Sequence, residues 1–158
     1  MEEKFDALLL KNQLCFPIYA AANKIIRRYQ PLLKKLDLTY TQYITMMVMW
    51  EKKQINEKVL VETLYLQSNT LAPLLKKLQQ KGYIEIGKDV KDKRNIIIKL
   101  TQKGADLKNE AVDVPKTLAQ ENLLTLEEAI MFKKILYKIL NDGKELESDT
   151  LDCKLVKN

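Results

Sequence analysis

The most reactive side chains in this sequence belong to two cysteines, Cys15 and Cys153, which lie near opposite ends of the chain. A thiolate is a nucleophile that peroxides oxidise, so a free cysteine in a reducing cytosol is a candidate redox site. The two cysteines do not have metal-ligand spacing, and the 158 residues include no histidine, the commonest metal ligand and general base. We therefore expect no metal, no cofactor and no catalytic residue. On the sequence alone, a buried and unreactive thiol remains an alternative for Cys15.

A basic stretch from Gln67 to Leu100 carries a second kind of chemistry, the binding of phosphate. It holds eight lysines and arginines against three acids, whereas residues 101–158 hold nine against eleven. The net charge of +6 therefore centres on this stretch. Such clustering is typical of a nucleic-acid-binding surface, although a lysine-rich helix can also simply aid solubility.

The same stretch predicts a helix followed by a two-stranded hairpin. Ser68, Asn69 and Thr70 begin the helix and Gly82 ends it. Apolar residues recur with a helical period, and three basic residues lie off that stripe, facing water or a partner. The apolar residues are Leu71, Leu74, Leu75 and Leu78, and the basic ones are Lys76, Lys77 and Lys81. Strands are predicted at 83–86 and 95–100, on either side of a charged tip at 87–94.

Two shorter helices precede this unit, and together they predict a winged helix-turn-helix domain over residues 38–100. A capping box at Thr39 and a cap at Asn56 mark where these helices begin. In such a domain the recognition helix enters a major groove and the hairpin tip reaches an adjacent minor groove. Lys76 and Lys77 are expected to contact DNA phosphates.

Amphipathic helices flank the predicted domain, and their apolar faces need cover. We predict dimerisation helices within residues 1–37 and 101–143, with an interruption at Gln30-Pro31, and a polar tail at 144–158. A capping box at Thr125 begins the last of these helices, and Asn141-Asp142-Gly143 ends it. The simplest cover is a second copy, which would present two recognition helices to a pseudo-palindromic site in double-stranded DNA. The predicted fold is mainly α with a small β-hairpin wing. Because we find neither a signal peptide nor an apolar run of transmembrane length, we expect a cytoplasmic protein without a membrane partner.

Several stretches resemble the MarR family of dimeric winged helix-turn-helix regulators: LTYTQYITMMVMWE, TLAPLLKKLQQKGYI and DKRNIIIKLTQKG. The segment LCFPIYAAANKI and the spacing of Tyr29 and Tyr40 resemble the organic-hydroperoxide-sensing, OhrR-type branch. The resemblance runs from about Leu14 to Pro115. It implies a transcriptional regulator, which we expect to be a repressor. Such a protein leaves its operator when an organic hydroperoxide oxidises one of its cysteines.

The resemblance also implies roles for individual residues of a sensing site. Cys15 matches the peroxide-reactive cysteine, and Tyr29 and Tyr40 match two tyrosines that donate hydrogen bonds to its sulfur across the dimer interface. Tyr19 matches a further tyrosine of that site. When these positions are considered one at a time, core packing alone also explains a tyrosine or a cysteine at each of them.

Roles in DNA binding follow in the same way. Asp92 matches the wing residue that orients Arg94 into the minor groove. Ser68, Asn69 and Thr70 match the face of the recognition helix that meets DNA.

The sequence departs from the two-cysteine members of the branch, which carry a resolving cysteine in the helix after the wing. Residues 102–120 contain none, and Cys153 lies in the tail. We therefore expect a one-cysteine sensor that uses a low-molecular-weight thiol, with a Cys15–Cys153 disulfide as an alternative. Three other functions stay open: a MarR-type repressor released by a small aromatic ligand, a thiol peroxidase using Cys15, and a helical adaptor that does not bind DNA.

Overall fold

The computed structural model describes residues 3–120 and 123–141. Short 3-10 helices at Glu3–Leu8 and Leu10–Asn12 come first. Seven α-helices are described: α1 (Cys15–Lys35), α2 (Tyr40–Lys52), α3 (Glu57–Leu64), α4 (Ser68–Gln80), α5 (Gln102–Ala111), α6 (Asp113–Ala119) and α7 (Leu126–Leu140). The strands are β1 (Gln54–Asn56), β2 (Ile84–Lys88) and β3 (Ile96–Leu100). The fold is mainly helical with a small sheet, as predicted, and the chain forms two compact units that divide after Val114.

The sheet has three antiparallel strands rather than the two of the predicted hairpin. Its order is β1-β3-β2, so β3 lies in the centre. Ile98 pairs with Ile55 on one side and with Ile86 on the other. The strand β1 was not predicted, because three residues are too few for an alternating pattern to stand out.

Local side-chain caps set where two helices of the winged region, α2 and α3, begin. The Thr39 hydroxyl accepts a hydrogen bond from the backbone N–H of Gln42 at 3.3 Å, and the Thr39 N–H donates to Gln42 Oε1 at 3.1 Å. Asn56 caps α3 through the Lys58 N–H at 2.8 Å. The capping box and the Asn56 cap are both confirmed. Gly82 ends α4 with φ of 77°, a value that favours glycine.

The interruption predicted at Gln30-Pro31 is wrong, since α1 runs unbroken through Pro31 to Lys35. Pro31 costs the helix one hydrogen bond because it has no N–H. Beyond it, however, Leu33 and Leu36 are buried, and packing of an apolar face commonly decides whether a helix continues. Pro17 lies in the first turn, where a backbone N–H has no helical partner in any case.

The core of the first unit gathers side chains from α2, α3, α4 and the sheet. Its fully buried members include Met46, Met49, Leu60, Leu71, Leu75, Leu78, Ile84 and Ile98. Trp50 is half-buried and donates from Nε1 to the Gly104 carbonyl at 2.8 Å. Gly104 itself has no room for a side chain, because an added Cβ would lie 2.1 Å from the Tyr83 carbonyl oxygen.

In the second unit, α7 begins with the predicted capping box at Thr125. Its apolar side chains remain exposed in the single chain, including Ile130, Met131, Phe132, Ile135 and Ile139. The predicted helix end falls at Asn141. Residues 142 and 143, the predicted tail at 144–158 and Cys153 lie outside the described residues. In the described ranges, no helix has the length and apolar character to cross a membrane.

Candidate redox site and nucleic-acid interface

The packing of α1 against α2 brings Tyr29 and Tyr40 together within one chain. Their ring centroids lie 5.0 Å apart and the ring planes meet at 61°, an edge-to-face contact. Tyr43, one turn further along α2, lies 5.9 Å from the Tyr29 ring. Trp50 continues the series at 6.2 Å from Tyr43. The predicted tyrosine pair is therefore part of a larger aromatic cluster.

The environment of these tyrosines keeps their hydroxyl groups protonated. Burial raises the pKa of Tyr29, and repulsion from Tyr40 raises it further. Burial likewise raises the pKa of Tyr40. For Tyr43, burial and then the two neighbouring phenols raise the pKa to about 12. At neutral pH each phenol is therefore an uncharged hydrogen-bond donor.

Cys15 lies at the other end of α1, as its first residue, and is exposed. Tyr19, one turn later, is 68% exposed. The 14 residues from Cys15 to Tyr29 correspond to about 21 Å along the helix axis, so these two side chains do not meet within one chain. Their directions differ by only about 40° around the helix, which puts both on the same face. The four predicted sensing residues thus form two groups: Cys15 with Tyr19 in the first turns of α1, and Tyr29 with Tyr40 of α2 further along.

On the wing, Asp92 holds the Arg94 guanidinium in a two-point contact. Arg94 donates from Nε to Oδ1 and from Nη2 to Oδ2, both at 3.0 Å, and its backbone N–H donates to Oδ1. These hydrogen bonds lower the pKa of Asp92 and raise that of Arg94. The Arg94 side chain is 90% exposed, so it is oriented and still accessible.

The helix α4 presents a polar face and buries an apolar one. Ser68, Asn69 and Thr70 are exposed in its first turn, and Lys76 and Lys77 are exposed further along. Its N-cap is Gln67, which makes no side-chain cap, so the helix starts without a capping hydrogen bond. The surface that the sequence predicted for DNA is therefore free within this chain.

Tyr43 was not singled out from the sequence as part of the site, although its spacing of three from Tyr40 places both on one face of a helix. The position of Lys81 was misjudged. Lys81 was expected to face water or a partner. Its side chain is instead 25% exposed and lies against the turn between α1 and α2. Among the described residues, no group of three or more histidines, cysteines and acids is placed to hold a metal ion.

Comparison with known proteins supports the family suggested by these features. The family model described as transcriptional regulator SarA/Rot matches residues 27–111. The organic hydroperoxide resistance transcriptional regulator of Bacillus subtilis (strain 168) is 41% identical over 140 residues, which cover 89% of this chain and 95% of that protein.

Comparison with solved structures supports the same family. Reduced AbfR bound to DNA matches with a TM-score of 0.72 and 28% identity, over 89% of this chain and 99% of that one. A mutant of MarR from E. coli, complexed with operator DNA, matches with a TM-score of 0.75 and 27% identity, over 86% and 97%. The chain belongs to the MarR family of transcriptional regulators.

Membership of the MarR family confirms the predicted fold and the resemblance to its organic-hydroperoxide-sensing branch. It explains why a basic helix and wing share one compact unit with the tyrosine cluster. The roles of individual residues remain predictions.

Proposed function

We propose that this protein is a homodimeric, cytoplasmic repressor that binds a pseudo-palindromic operator in double-stranded DNA and leaves it when an organic hydroperoxide oxidises Cys15. One observation carries the proposal. Cys15 is exposed at one end of a face of α1, and the paired phenols of Tyr29 and Tyr40 lie at the other end of that face. The hydroperoxide comes from the similarity to the Bacillus subtilis regulator, whose name states that role.

Two-fold symmetry brings the separated groups together. In a two-fold dimer, residue i of one copy contacts residue j of the other, and the reverse contact follows. Two α1 helices that cross through such an axis can place each Cys15 near the partner's tyrosine pair. Tyr19, one turn from Cys15, then lies on the same face as the sulfur. Each dimer would have two equivalent sites, each built from both chains.

The proposed reaction is a two-electron oxidation of the thiolate. The sulfur attacks one peroxide oxygen, the S–O bond forms as the O–O bond breaks, and the released alkoxide takes a proton to become an alcohol. Cys15 is thereby oxidised to a sulfenic acid and the hydroperoxide is reduced. A low-molecular-weight thiol then condenses with the sulfenic acid, which forms a mixed disulfide and releases water. The tyrosine hydroxyls stabilise the thiolate by hydrogen bonding, without adding a charge.

Oxidation would release DNA by changing the dimer interface. An exposed thiolate becomes a larger and differently charged group where two chains pack, and packed interfaces respond by moving between discrete arrangements.

We assign residues 1–37 and 101–143 to dimerisation, residues 38–100 to DNA binding, and residues 144–158 to a polar tail.

The DNA-binding half would use the surface described for α4 and the wing. Ser68, Asn69 and Thr70 face the major groove, and Lys76 and Lys77 neutralise phosphates. Asp92 holds Arg94 in the orientation needed to enter a minor groove, which reduces the entropy lost on binding.

A second candidate is a repressor released by a small aromatic ligand. It is favoured by an open cavity of about 490 Å³ beside Tyr40, lined also by Gln30, Leu33, Lys34 and Lys77. Its lysines would suit an acidic ligand. A regulator that ignores hydroperoxide and leaves DNA on addition of an aromatic acid would support this reading.

The deciding experiment compares the wild type with Cys15→Ser, and uses Cys153→Ser as the matched control. A duplex is first selected from a random pool with the reduced protein, and binding is followed by fluorescence anisotropy as cumene hydroperoxide is added. We expect the wild type and Cys153→Ser to release the duplex and Cys15→Ser to retain it. Release by Cys15→Ser would refute the sensing role.

The same samples test the peroxidase alternative. The Bacillus subtilis relative and the matching family model are described as transcriptional regulators, which favours a sensor over an enzyme. With a thiol reductant present, we expect no sustained consumption of hydroperoxide. Steady turnover that is lost in Cys15→Ser would favour a thiol peroxidase.

A further inference from the structure

The end of the recognition helix is tied to the turn between α1 and α2 by one lysine. Lys81, the C-cap of α4, donates from Nζ to the backbone carbonyl of Asp37 and lies 3.0 Å from Asp37 Oδ2. The same nitrogen lies 3.5 Å from Gln42 Oε1. The Lys81 side chain thus contacts two residues that lie 44 and 39 positions earlier in the sequence.

The Asp37 acceptors of Lys81 belong to a hydrogen-bonded turn. Asp37 has φ of 52°, in the left-handed region. The Leu38 N–H donates to the Leu33 carbonyl at 3.0 Å and the Asp37 N–H donates to the Lys34 carbonyl at 3.2 Å. These bonds close the end of α1, as in a Schellman motif. The carbonyl that accepts from Lys81 is therefore held in a fixed position.

The other acceptor connects Lys81 to the tyrosine cluster. Gln42 is 3% exposed, and its Oε1 also accepts from the Thr39 N–H in the capping box of α2. Tyr40 is the first residue of that helix and lies between the two members of the box. A displacement of the Tyr40 ring would therefore move the turn that carries the acceptors of Lys81.

Behind Lys81, the chain is fixed to α5 as well. Lys103 Nζ donates to the Lys81 carbonyl at 2.8 Å, and Thr101 Oγ1 donates to the Gly82 carbonyl at 2.6 Å. The C-terminal end of α4 is thus a fixed point, and its exposed first turn lies about 20 Å away along the helix. A small tilt at Lys81 becomes a large displacement of Ser68 to Thr70.

We propose that Lys81 is a positioning residue, which couples the tyrosine pair beside Cys15 of the partner copy to the orientation of the recognition helix. It touches neither DNA nor peroxide. The inference rests on the proposed function and deepens it, because it names the connection between sensing and release.

The test measures the ratio of DNA dissociation constants for oxidised and reduced protein. Lys81→Met removes the charge and keeps the apolar stem, Lys81→Arg retains the charge, and Lys108→Met changes an exposed lysine of α5 as the control. We expect Lys81→Met to lower the wild-type ratio about fivefold or more, since allosteric couplings are commonly of that size. Lys81→Arg should restore most of the ratio, and Lys108→Met should leave it unchanged.

Two further readouts separate coupling from simpler roles. The rate of Cys15 oxidation, followed by mass spectrometry, should be the same in Lys81→Met as in the wild type. The dependence of DNA affinity on salt should also be the same, because a lysine that contacts a phosphate would reduce that slope by about one. Should Lys81→Met fail to fold, Asp37→Asn removes the carboxylate charge from the same contact, and asparagine tolerates the left-handed conformation.

The outcomes are distinct. An unchanged ratio in Lys81→Met, with a wild type that responds to oxidation, overturns the coupling role alone. A reduced salt slope or a slower oxidation of Cys15 overturns it in favour of a DNA contact or a role at the sulfur. A wild type that does not respond overturns the proposed function as well.

Discussion

The winged region and the terminal helices bury their apolar side chains to very different degrees. Leu60, Leu71 and Leu78 of the winged region are fully buried within one chain, whereas Leu14 is 75% exposed and Ile139 is 51% exposed. The DNA-reading half is therefore complete in a single chain. The helices that carry Cys15 and Ile139 leave apolar side chains exposed in one chain, and we propose that a second copy covers them in the dimer.

The largest difference between the two regions should appear in stability. Leu71→Ala leaves a cavity in the core and should lower the free energy of unfolding by about 2–5 kcal/mol. Denaturant unfolding followed by circular dichroism measures this loss, and its size should not depend on protein concentration.

Ile139→Ala is the matched change in α7. It removes a half-exposed side chain, so it should cost about 0.5 kcal/mol or less in the isolated chain but raise the dissociation constant of the dimer. Sedimentation measures that constant. Equal, concentration-independent losses from Leu71→Ala and Ile139→Ala would remove the contrast between the two regions.

The next largest effect concerns DNA affinity, which depends on side chains that one chain already orients. Arg94→Ala should weaken binding about tenfold and leave the dimer folded, because the guanidinium held by Asp92 is lost. Lys93→Ala, an exposed neighbour, should have a smaller effect. Equal losses from the two variants would show that Arg94 contributes charge alone.

A further comparison between the two regions uses two capping boxes of nearly the same design. Thr39→Ala and Thr125→Ala should each cost about 1 kcal/mol. They differ in pH dependence, because the box of α2 uses the neutral Gln42 and that of α7 uses Glu128. Hydrogen bonds from the backbone and side chain of Thr125 lower the pKa of Glu128.

A lowered carboxyl pKa fixes the direction of this effect. The contribution of Glu128 is fully present above the ordinary carboxyl pKa and is lost as the pH falls through the lowered value. The amide resonance of Thr125 should therefore shift in acid, and that of Thr39 should not report this titration. Identical behaviour of the two amides would refute the difference between the boxes.

The sequence predicted the features that depend on local chemistry. The caps at Thr39, Asn56 and Thr125 and the apolar stripe of α4 are each contained in a few neighbouring residues. The continuation of α1 past Pro31 depends on the burial of Leu33, and the strand β1 depends on pairing with residues 97–99. The position of Lys81 depends on a turn 44 residues away. Such features are decided by tertiary packing, which periodicity does not reveal.

The candidate redox site likewise has a part that could be predicted from the sequence and a part that depends on packing. The resemblance to a known family supplied Cys15, Tyr29 and Tyr40, and the structure places the two tyrosines in contact. It does not bring Cys15 to them within one chain, because Cys15 begins α1 and Tyr29 lies 14 residues further along that helix. The central claim is therefore that the Cys15 sulfur of one copy lies against the tyrosine phenols of the other copy.

Heterodimers test that claim most directly. In the first, one chain carries Cys15→Ser and the other carries Tyr29→Phe and Tyr40→Phe. The remaining Cys15 then faces intact tyrosines of the other chain. In the second, a wild-type chain is paired with a chain that carries all three substitutions, so the remaining Cys15 faces two phenylalanines.

The measurement is the rate at which each heterodimer's remaining Cys15 is oxidised by cumene hydroperoxide, followed by mass spectrometry. A site shared between chains predicts the wild-type rate per sulfur in the first heterodimer and a rate at least about tenfold lower in the second, since hydrogen bonds to a charged group are lost. Equal rates, or the faster rate in the second heterodimer, would contradict the account.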